Sequence, residues 1–280
     1  MQKPHPVGRI SMAESLNDDK QWNAPLLITG GIRSGSTALT RLLSTHDRIC
    51  IFNEYSLYTD PVLEDSVWHR IRDMGDDNLP PHAISKDMAS LQLRLADELP
   101  EPVCKETTRN WLFGLLQNRV QVYGDKMPYV YLARMEELAN QFPGVRFLLT
   151  LRDGRDVVAS QVRQYYSAAA AGVEPERWMR PTIQEAEHLW LRSARIWLSL
   201  RSAPPAPCLE IPYEQATRNP ENTVRSICDF VGMEYCEEDF AEFLVTYQPV
   251  HIDSWRDELP DIENHLSDDF LDALEQLGYR

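Results

Sequence analysis

The sequence predicts an α/β fold in which a mainly parallel β-sheet carries helices on both faces. Short apolar runs bounded by Gly, Pro or Asp recur along the chain, as expected for strands that are buried on both sides. Longer stretches with helical patterning alternate with these runs, which favours a parallel sheet. The segment GGIRSGST, residues 30–37, follows the first run directly and has the glycine spacing of a phosphate-binding loop. The predicted fold is therefore an α/β sheet of the P-loop type.

The predicted elements follow one another with few interruptions. The apolar runs place strands at residues 26–29, 49–52, 120–123, 146–151 and 208–211. The helical patterns cover residues 38–44, 86–99, 129–141, 155–166, 182–201 and 214–231. Residues 1–22 are polar and without period, and we expect a loose N-terminal arm there, followed by a single α/β domain at 23–280. Segments 60–81 and 168–181 are irregular, and the first is the better candidate for an insertion or lid.

The composition narrows the range of partners. The 280 residues carry a formal net charge of −15, so the surface repels nucleic acids and anionic membranes. An anionic ligand must then be held by a local concentration of cations. The five cysteines are scattered and show no metal-binding or disulfide spacing, which predicts reduced thiols, a cytoplasmic protein and no metal site. No apolar stretch has the length of a signal or membrane-spanning segment, so we expect no membrane insertion.

The glycine-rich loop departs from the nucleotide-hydrolase pattern in one position. Ser36 stands where that pattern has its phosphate-binding lysine, and a cation is found three residues earlier, at Arg33. Main-chain N–H groups at a helix start and the side chains of Arg33, Ser34, Ser36 and Thr37, with Gly35 allowing a tight turn, suit a smaller anion than a triphosphate. The alternative is a strand-to-helix turn that binds nothing.

A second predicted anion site follows the fourth strand. Arg152 ends that strand, and Ser160 lies eight residues later, about two turns into the next helix. A guanidinium and a hydroxyl placed in this way suit a phosphate monoester. The alternative is that the charged residues 152–156 form a surface ion-pair cluster.

The motifs, taken together, resemble the sulfotransferases that use 3′-phosphoadenylyl sulfate (PAPS). IRSGST is similar to the PRSGTT loop of that family, and RDGRDVVAS is similar to its RDPRDxxxS segment. YGDKMPYVY and IPYEQATRNPENTVRSICDFVGM resemble two further family segments, and all occur in the family's order between about residues 25 and 256. The resemblance implies metal-independent, in-line transfer of a sulfonate from PAPS to a hydroxyl or amine. It implies that the loop holds the 5′-phosphosulfate and that Arg152 and Ser160 hold the 3′-phosphate.

The resemblance also suggests roles for residues outside the two anchors. Tyr213 matches the nucleotide-contacting tyrosine of the family's YE pair. The segment VHIDSWRDEL resembles a late family segment but lacks its lysine, so Arg256 substitutes for that lysine or Ser254 alone contacts the nucleotide. Trp255 packs near the adenine or in the core.

Three residues are predicted to perform the chemistry. Arg33 and Lys126 are the candidates for stabilising charge on the leaving phosphate. Glu54 follows the second strand, at the place where tyrosylprotein sulfotransferases have their catalytic glutamate, and is the candidate general base.

Histidine is the base in the small-molecule branch of the family, which keeps His69, His82 and His251 as alternatives. The basic residues that follow the glutamate in tyrosylprotein enzymes are here Tyr55 and Ser56. A small or medium-sized acceptor is therefore expected instead of a tyrosyl peptide. Two other functions remain open at this stage: a P-loop kinase acting with ATP and Mg²⁺, and a nucleotide-binding module without catalysis.

Overall fold

The fold is built on one sheet of five parallel strands. The computed structural model describes residues 24–46, 48–54, 56–59, 120–248 and 250–279. The strands are β1 (Leu26–Gly30), β2 (Ile49–Asn53), β3 (Val122–Lys126), β4 (Arg146–Leu151) and β5 (Cys208–Pro212). Their order across the sheet is β2-β3-β1-β4-β5, and every neighbouring pair is parallel. The predicted fold class is confirmed.

Helices cover both faces of the sheet. They are α1 (Ser36–Leu43), α2 (Val130–Ala133), α3 (Met135–Gln141), α4 (Gly154–Ala170), α5 (Ile183–Leu200), α6 (Tyr213–Arg218), α7 (Pro220–Val231), α8 (Ala241–Thr246), α9 (Trp255–Glu258) and α10 (Asp268–Leu277). Two short 3₁₀ helices, Glu238–Phe240 and Ile262–His265, lie between the last of them. None of the helices in the described ranges is long and apolar enough to cross a membrane.

Alternation along the strands divides the apolar side chains into two cores. On β1, Leu27 faces a core formed with α2 to α5, α9 and α10. Its neighbours Leu26 and Ile28 face a second core formed with α1 and α6 to α8. Because successive side chains of a strand point to opposite faces, a sheet covered on both sides needs apolar residues in consecutive positions. This is the pattern that the short apolar runs show.

Several predicted boundaries are wrong, for local reasons. The third strand begins at Val122 and ends at Lys126, not at residue 123, because its buried polar end does not read as an apolar run. The helix predicted at 129–141 is interrupted at Arg134. The helix predicted at 214–231 is two helices, since Pro220 disfavours helical backbone in the residue before it. Helix α4 extends to Ala170, so the alanine run at the start of the predicted irregular segment is helical.

Some predictions fall on parts of the chain that are not described. The N-terminal arm at 1–22, the irregular segment at 60–81 and the helix at 86–99 lie outside the described residues. The single domain at 23–280 remains a prediction.

The strand order fixes where a ligand can bind. From β1 the chain passes to β2 on one side of the sheet, whereas from β4 it passes to β5 on the other side. In open α/β sheets a crevice forms at the carboxyl ends of the strands where the connections diverge in this way. The crevice lies between β1 and β4, which pair with Gly30 opposite Thr150. The glycine-rich loop and Arg152 are therefore the segments that flank it.

Candidate active site

The glycine-rich loop is held in shape by its own hydrogen bonds and by close packing. The Ser34 hydroxyl donates to the carbonyl oxygen of Gly31 at 2.5 Å and lies 2.6 Å from the Thr150 hydroxyl on β4. Gly35 has a left-handed φ of 91°, and a Cβ at that position would lie 2.6 Å from the ring of Tyr213. The loop is thus pressed against neighbouring elements and leads directly into α1. The main-chain N–H groups at the start of that helix can bind an anion.

A buried lysine connects this loop to the candidate base. Lys126, at the end of β3, is fully buried, and its Nζ donates to Thr37 Oγ1 at 2.9 Å and to Glu54 Oε1 at 2.5 Å. Burial lowers the pKa of Lys126, and the nearby Glu54 carboxylate opposes that effect. The Glu54 side chain is 48% exposed, so one side of the carboxylate can meet a second molecule. The structure therefore brings the predicted base, one predicted cation and the loop together.

The second cluster is formed around Arg152. Its side chain is almost fully buried, with Nη1 donating to the Arg33 carbonyl oxygen at 3.2 Å and Nη2 donating to the His251 carbonyl oxygen at 2.5 Å. Its Cζ lies 4.7 Å from the centre of the Tyr213 ring. Ser160 is buried nearby and accepts a hydrogen bond from Arg33 Nε at 3.2 Å. The two predicted anion sites are therefore in direct contact through Arg33.

Arg33 contacts the second cluster with its main chain and with its side chain: its carbonyl oxygen accepts from Arg152, and its Nε donates to Ser160. Its backbone is left-handed, with φ of 67°, and its guanidinium also lies 4.9 Å from the Trp178 ring. Partial burial and the like charges of Arg152 and Arg163 lower the pKa of Arg33. Several cations thus lie close together on a chain whose formal net charge is −15. An anion bound among them would relieve their mutual repulsion.

The remaining predicted residues are engaged with the protein. The Tyr213 hydroxyl donates to the Val250 carbonyl oxygen at 2.6 Å, and Ser254 Oγ donates to Asp156 at 3.1 Å. The Arg256 side chain is 61% exposed and lies over the ring of Trp255. Trp255 itself is buried in the core between that side chain and Arg155.

The last predicted site residues to locate in the structure are the loop serines and the three histidines. Ser36 is buried at the first position of α1. The Ser34 hydroxyl is hydrogen-bonded to Gly31 in its own loop and to Thr150. His251 lies near Arg152 through its carbonyl oxygen, while His69 and His82 lie outside the described residues. The nucleotide contacts of these residues remain predictions.

Three residues near the site have no functional role in the sequence prediction. Asp125 is fully buried beside Lys126 and accepts from Tyr131 at 2.5 Å and from the main chain of Leu57. Asp156 accepts three hydrogen bonds from residues 253–255. Trp178 lies over Arg33. The acidic residues of GDK and RDGRD were the available signal for the first two, since Asp125 directly precedes Lys126 and Asp156 lies four residues after Arg152.

The arrangement has the parts that group transfer requires. One cluster presents a half-exposed carboxylate beside a buried ammonium and a hydroxyl, and the other presents several guanidiniums beside a hydroxyl. The first can accept a proton and stabilise a developing negative charge, and the second can hold a separate anionic group.

Comparison with known proteins identifies one family. The model of the Sulfotransferase family matches residues 25–237, which is most of the chain. A Caenorhabditis briggsae protein named as a protein-tyrosine sulfotransferase is 24% identical over 114 residues. That match covers 41% of this chain and 38% of the relative, so the chain aligns with well under half of that protein's length.

Two solved structures share the fold. The sulfotransferase domain of the Synechococcus PCC 7002 olefin synthase superposes with a TM-score of 0.64 at 20% identity, covering 92% of this chain and 95% of that one. The sulfotransferase domain of the curacin biosynthetic pathway superposes with a TM-score of 0.60 at 17% identity, covering 92% and 98%. These similarities are to the whole fold, and they agree with the family resemblance predicted from the motifs.

Proposed function

The chain belongs to the sulfotransferase family, and we propose that it moves a sulfonate group from PAPS to a hydroxyl or amine of an acceptor molecule. The observation that carries the proposal is the position of Lys126, which joins Thr37 of the glycine-rich loop to the half-exposed carboxylate of Glu54. A loop for the phosphosulfate, a cation for the leaving group and a base for the acceptor are thereby in one contact network.

The residues present fit the nucleotide of PAPS. The loop and the start of α1 would hold the 5′-phosphosulfate, and Arg152 with Ser160 would hold the 3′-phosphate. Arg152 Nε is buried and has no hydrogen-bond partner among the residues that the structure describes, and leaving such a donor unpaired costs free energy unless a ligand or water accepts from it. The guanidinium of Arg33 contacts Ser160, so it would support the 3′-phosphate corner in addition to its predicted role at the leaving phosphate, and Lys126 would be the cation beside the loop.

The chemical step needs few groups. The acceptor oxygen or nitrogen forms a bond to sulfur while the bond from sulfur to the bridging oxygen of the phosphosulfate breaks. Glu54 would accept the acceptor proton, and Lys126 would stabilise the negative charge that grows on the departing phosphate oxygen. As in phosphoryl transfer, most of the rate acceleration would come from positioning and electrostatics.

The position of Lys126 also favours this chemistry over that of a kinase. In a P-loop kinase the hydroxyl at the Thr37 position binds Mg²⁺. Here the ammonium of Lys126 lies 2.9 Å from that oxygen, and its charge opposes a divalent cation at the same place. The lysine missing at Ser36 is replaced in effect by a lysine from the neighbouring strand.

The acceptor that we propose is small or medium-sized. Tyr55 and Ser56 stand where the tyrosylprotein enzymes have basic residues, and the Glu54 side chain is 48% exposed and can receive an acceptor. We also keep the cytoplasm as the proposed location. The described cysteines Cys50, Cys208, Cys228 and Cys236 are all free, in keeping with a reducing compartment.

The test is transfer of labelled sulfonate from PAPS to a panel of alcohols and amines. We expect turnover with at least one acceptor, and a 10²- to 10⁴-fold loss, roughly, in Glu54→Gln, because the amide cannot accept the proton. The affinity for 3′-phosphoadenosine 5′-phosphate (PAP) should change little in that variant. Glu137→Gln, which alters an exposed ion pair with Arg134, is the matched control and should retain full turnover.

Two results would contradict the proposal. Unaltered turnover in Glu54→Gln would remove Glu54 as the base. Tight PAP binding without transfer to any acceptor would instead support the nucleotide-binding module.

A further inference from the structure

A strap of residues 250–256 lies over Arg152 and is tied to the protein by one carboxylate. Asp156, in the first turn of α4, is almost fully buried. Its Oδ2 accepts from the main-chain N–H of Asp253 at 3.0 Å, and its Oδ1 accepts from Ser254 Oγ at 3.1 Å and from the main-chain N–H of Trp255 at 3.0 Å. One side chain therefore fixes three consecutive residues.

The strap needs this fixation because its backbone is strained. His251 has φ of 62° and Asp253 has φ of 56°, values that residues other than glycine adopt rarely. Such conformations persist where the surrounding structure determines them, and they concentrate at functional sites. The three hydrogen bonds to Asp156 supply that constraint on one side of the strap.

The other side of the strap contacts the candidate nucleotide site. The His251 carbonyl oxygen accepts from Arg152 Nη2 at 2.5 Å, and the Val250 carbonyl oxygen accepts from the Tyr213 hydroxyl at 2.6 Å. Arg152 Nη2 and Asp156 Oδ2 form an ion pair at 4.0 Å, a distance too long for a hydrogen bond. The hydrogen-bonded connection from Asp156 to the guanidinium therefore runs through the strap.

We infer that Asp156 is a positioning residue for binding of the 3′-phosphate, acting through residues 250–256 to orient Arg152. The inference rests on the proposed function, in which Arg152 holds that phosphate. It assigns to Asp156 a task different from that of its neighbour Asp153, whose side chain caps α4 and pairs with Arg155.

The test compares two nucleotides that differ only in the 3′-phosphate. PAP and AMP share adenosine 5′-phosphate, so the ratio of their dissociation constants isolates the contribution of the 3′-phosphate. We expect Asp156→Asn, which retains the side-chain volume but presents one acceptor oxygen instead of two, to reduce the preference for PAP about tenfold, the scale on which outer-shell partners act at metal sites. The affinity for AMP should remain close to that of the unaltered protein.

A matched control separates positioning from general destabilisation. Glu187 on α5 is also a buried carboxylate that holds a loop, accepting from the main-chain N–H and the hydroxyl of Ser267. Glu187→Gln should lower the thermal stability while leaving the ratio of PAP to AMP affinity unchanged. If Asp156→Asn does not fold, Asp156→Glu, which displaces the carboxylate by one methylene group, is measured in the same way.

The outcomes are distinct. An unchanged ratio in the Asp156 variant, or an equal loss of PAP and AMP binding, would overturn the inference. An unaltered protein that shows no preference for PAP over AMP would instead overturn the proposed nucleotide site.

Discussion

At the scale of single residues, the contact of Lys126 with Thr37 and Glu54 explains how a phosphate-type loop can work without its own lysine. The cation comes from the end of β3, one strand away from the loop. Burying an ammonium is costly, and that cost is the reason for the lowered pKa of Lys126. A protein keeps such a charge where function requires it.

We therefore predict that Lys126→Met separates activity from stability. Turnover should fall about 10²- to 10³-fold, as when an electrostatic donor is removed from an active site. The melting temperature should change little, because the desolvation cost of the ammonium is lost together with its ion pair and the buried Asp125 keeps its hydrogen bonds from Tyr131 and Leu57. Glu54 is half-exposed and can be solvated once it loses its partner.

The experiment measures turnover and thermal unfolding of the same samples. Arg134→Met, which removes the cation of an exposed ion pair, serves as the control and should change neither quantity much. Full turnover in Lys126→Met would show that this ammonium has no part in the reaction.

The sequence identifies Glu54 and Lys126 as candidate site residues, but it does not predict that they contact each other. Glu54 and Lys126 each follow an apolar run, and the carboxyl ends of parallel strands meet at one edge of a sheet. Their contact depends on β3 lying between β1 and β2, an order that a single sequence does not reveal. For Asp156 the sequence indicates no more than membership of a surface ion-pair cluster, because its three partners are almost 100 residues away.

At the scale of elements, the glycine-rich loop is shaped by what packs against it. Gly35 lies against the Tyr213 ring, and that ring lies against Arg152. The loop after β1, the end of β4 and the start of α6 therefore form one packed unit.

We predict that Gly35→Ala damages both stability and nucleotide binding. A methyl group 2.6 Å from Tyr213 must displace the ring, and with it the support of Arg152. Gly172→Ala is the matched control, because Gly172 also has a left-handed φ, 68°, but no atom of the described residues lies within 4 Å of an added Cβ. The control isolates the backbone cost, about 1 kcal/mol.

Urea unfolding and PAP titration of both variants provide the measurement. We expect Gly35→Ala to be the less stable of the two and to bind PAP more than tenfold more weakly than Gly172→Ala, because a packing loss of about 1.4 kcal/mol at the site already corresponds to a factor of ten. Equal behaviour of the two variants would contradict the packing described for this unit.

Apolar patterns predict where the strands and helices lie better than they predict the residues at which these elements begin and end. The apolar runs located all five strands, but β3 was placed too early, because its last residues, Asp125 and Lys126, are polar and yet fully buried. Their burial is a consequence of the site and not of hydrophobicity. Pro220 marks the interruption in the sequence, but the apolar period continues across it and predicts one uninterrupted helix.

At the scale of the whole molecule, the strand order brings two anion sites to one crevice. The loop after β1 and the residues after β4 flank the position where the connections diverge. Arg33, in the first of these segments, contacts Arg152 and Ser160 in the second. On a chain of net charge −15, this crevice is a local concentration of cations. Such a site favours a compact ligand with two separate anionic groups over an extended polyanion.

The most direct test of this account is the thermal stability of the protein with PAP, compared with ATP and Mg²⁺. A ligand that binds only the folded state stabilises it by about 2.7 kcal/mol at one hundred times its dissociation constant. We predict a shift of this order with PAP, seen as a rise of several degrees in Tm, and a much smaller shift with ATP and Mg²⁺. A shift with ATP and Mg²⁺ and none with PAP would contradict the central claim that the two clusters bind one adenosine bisphosphate.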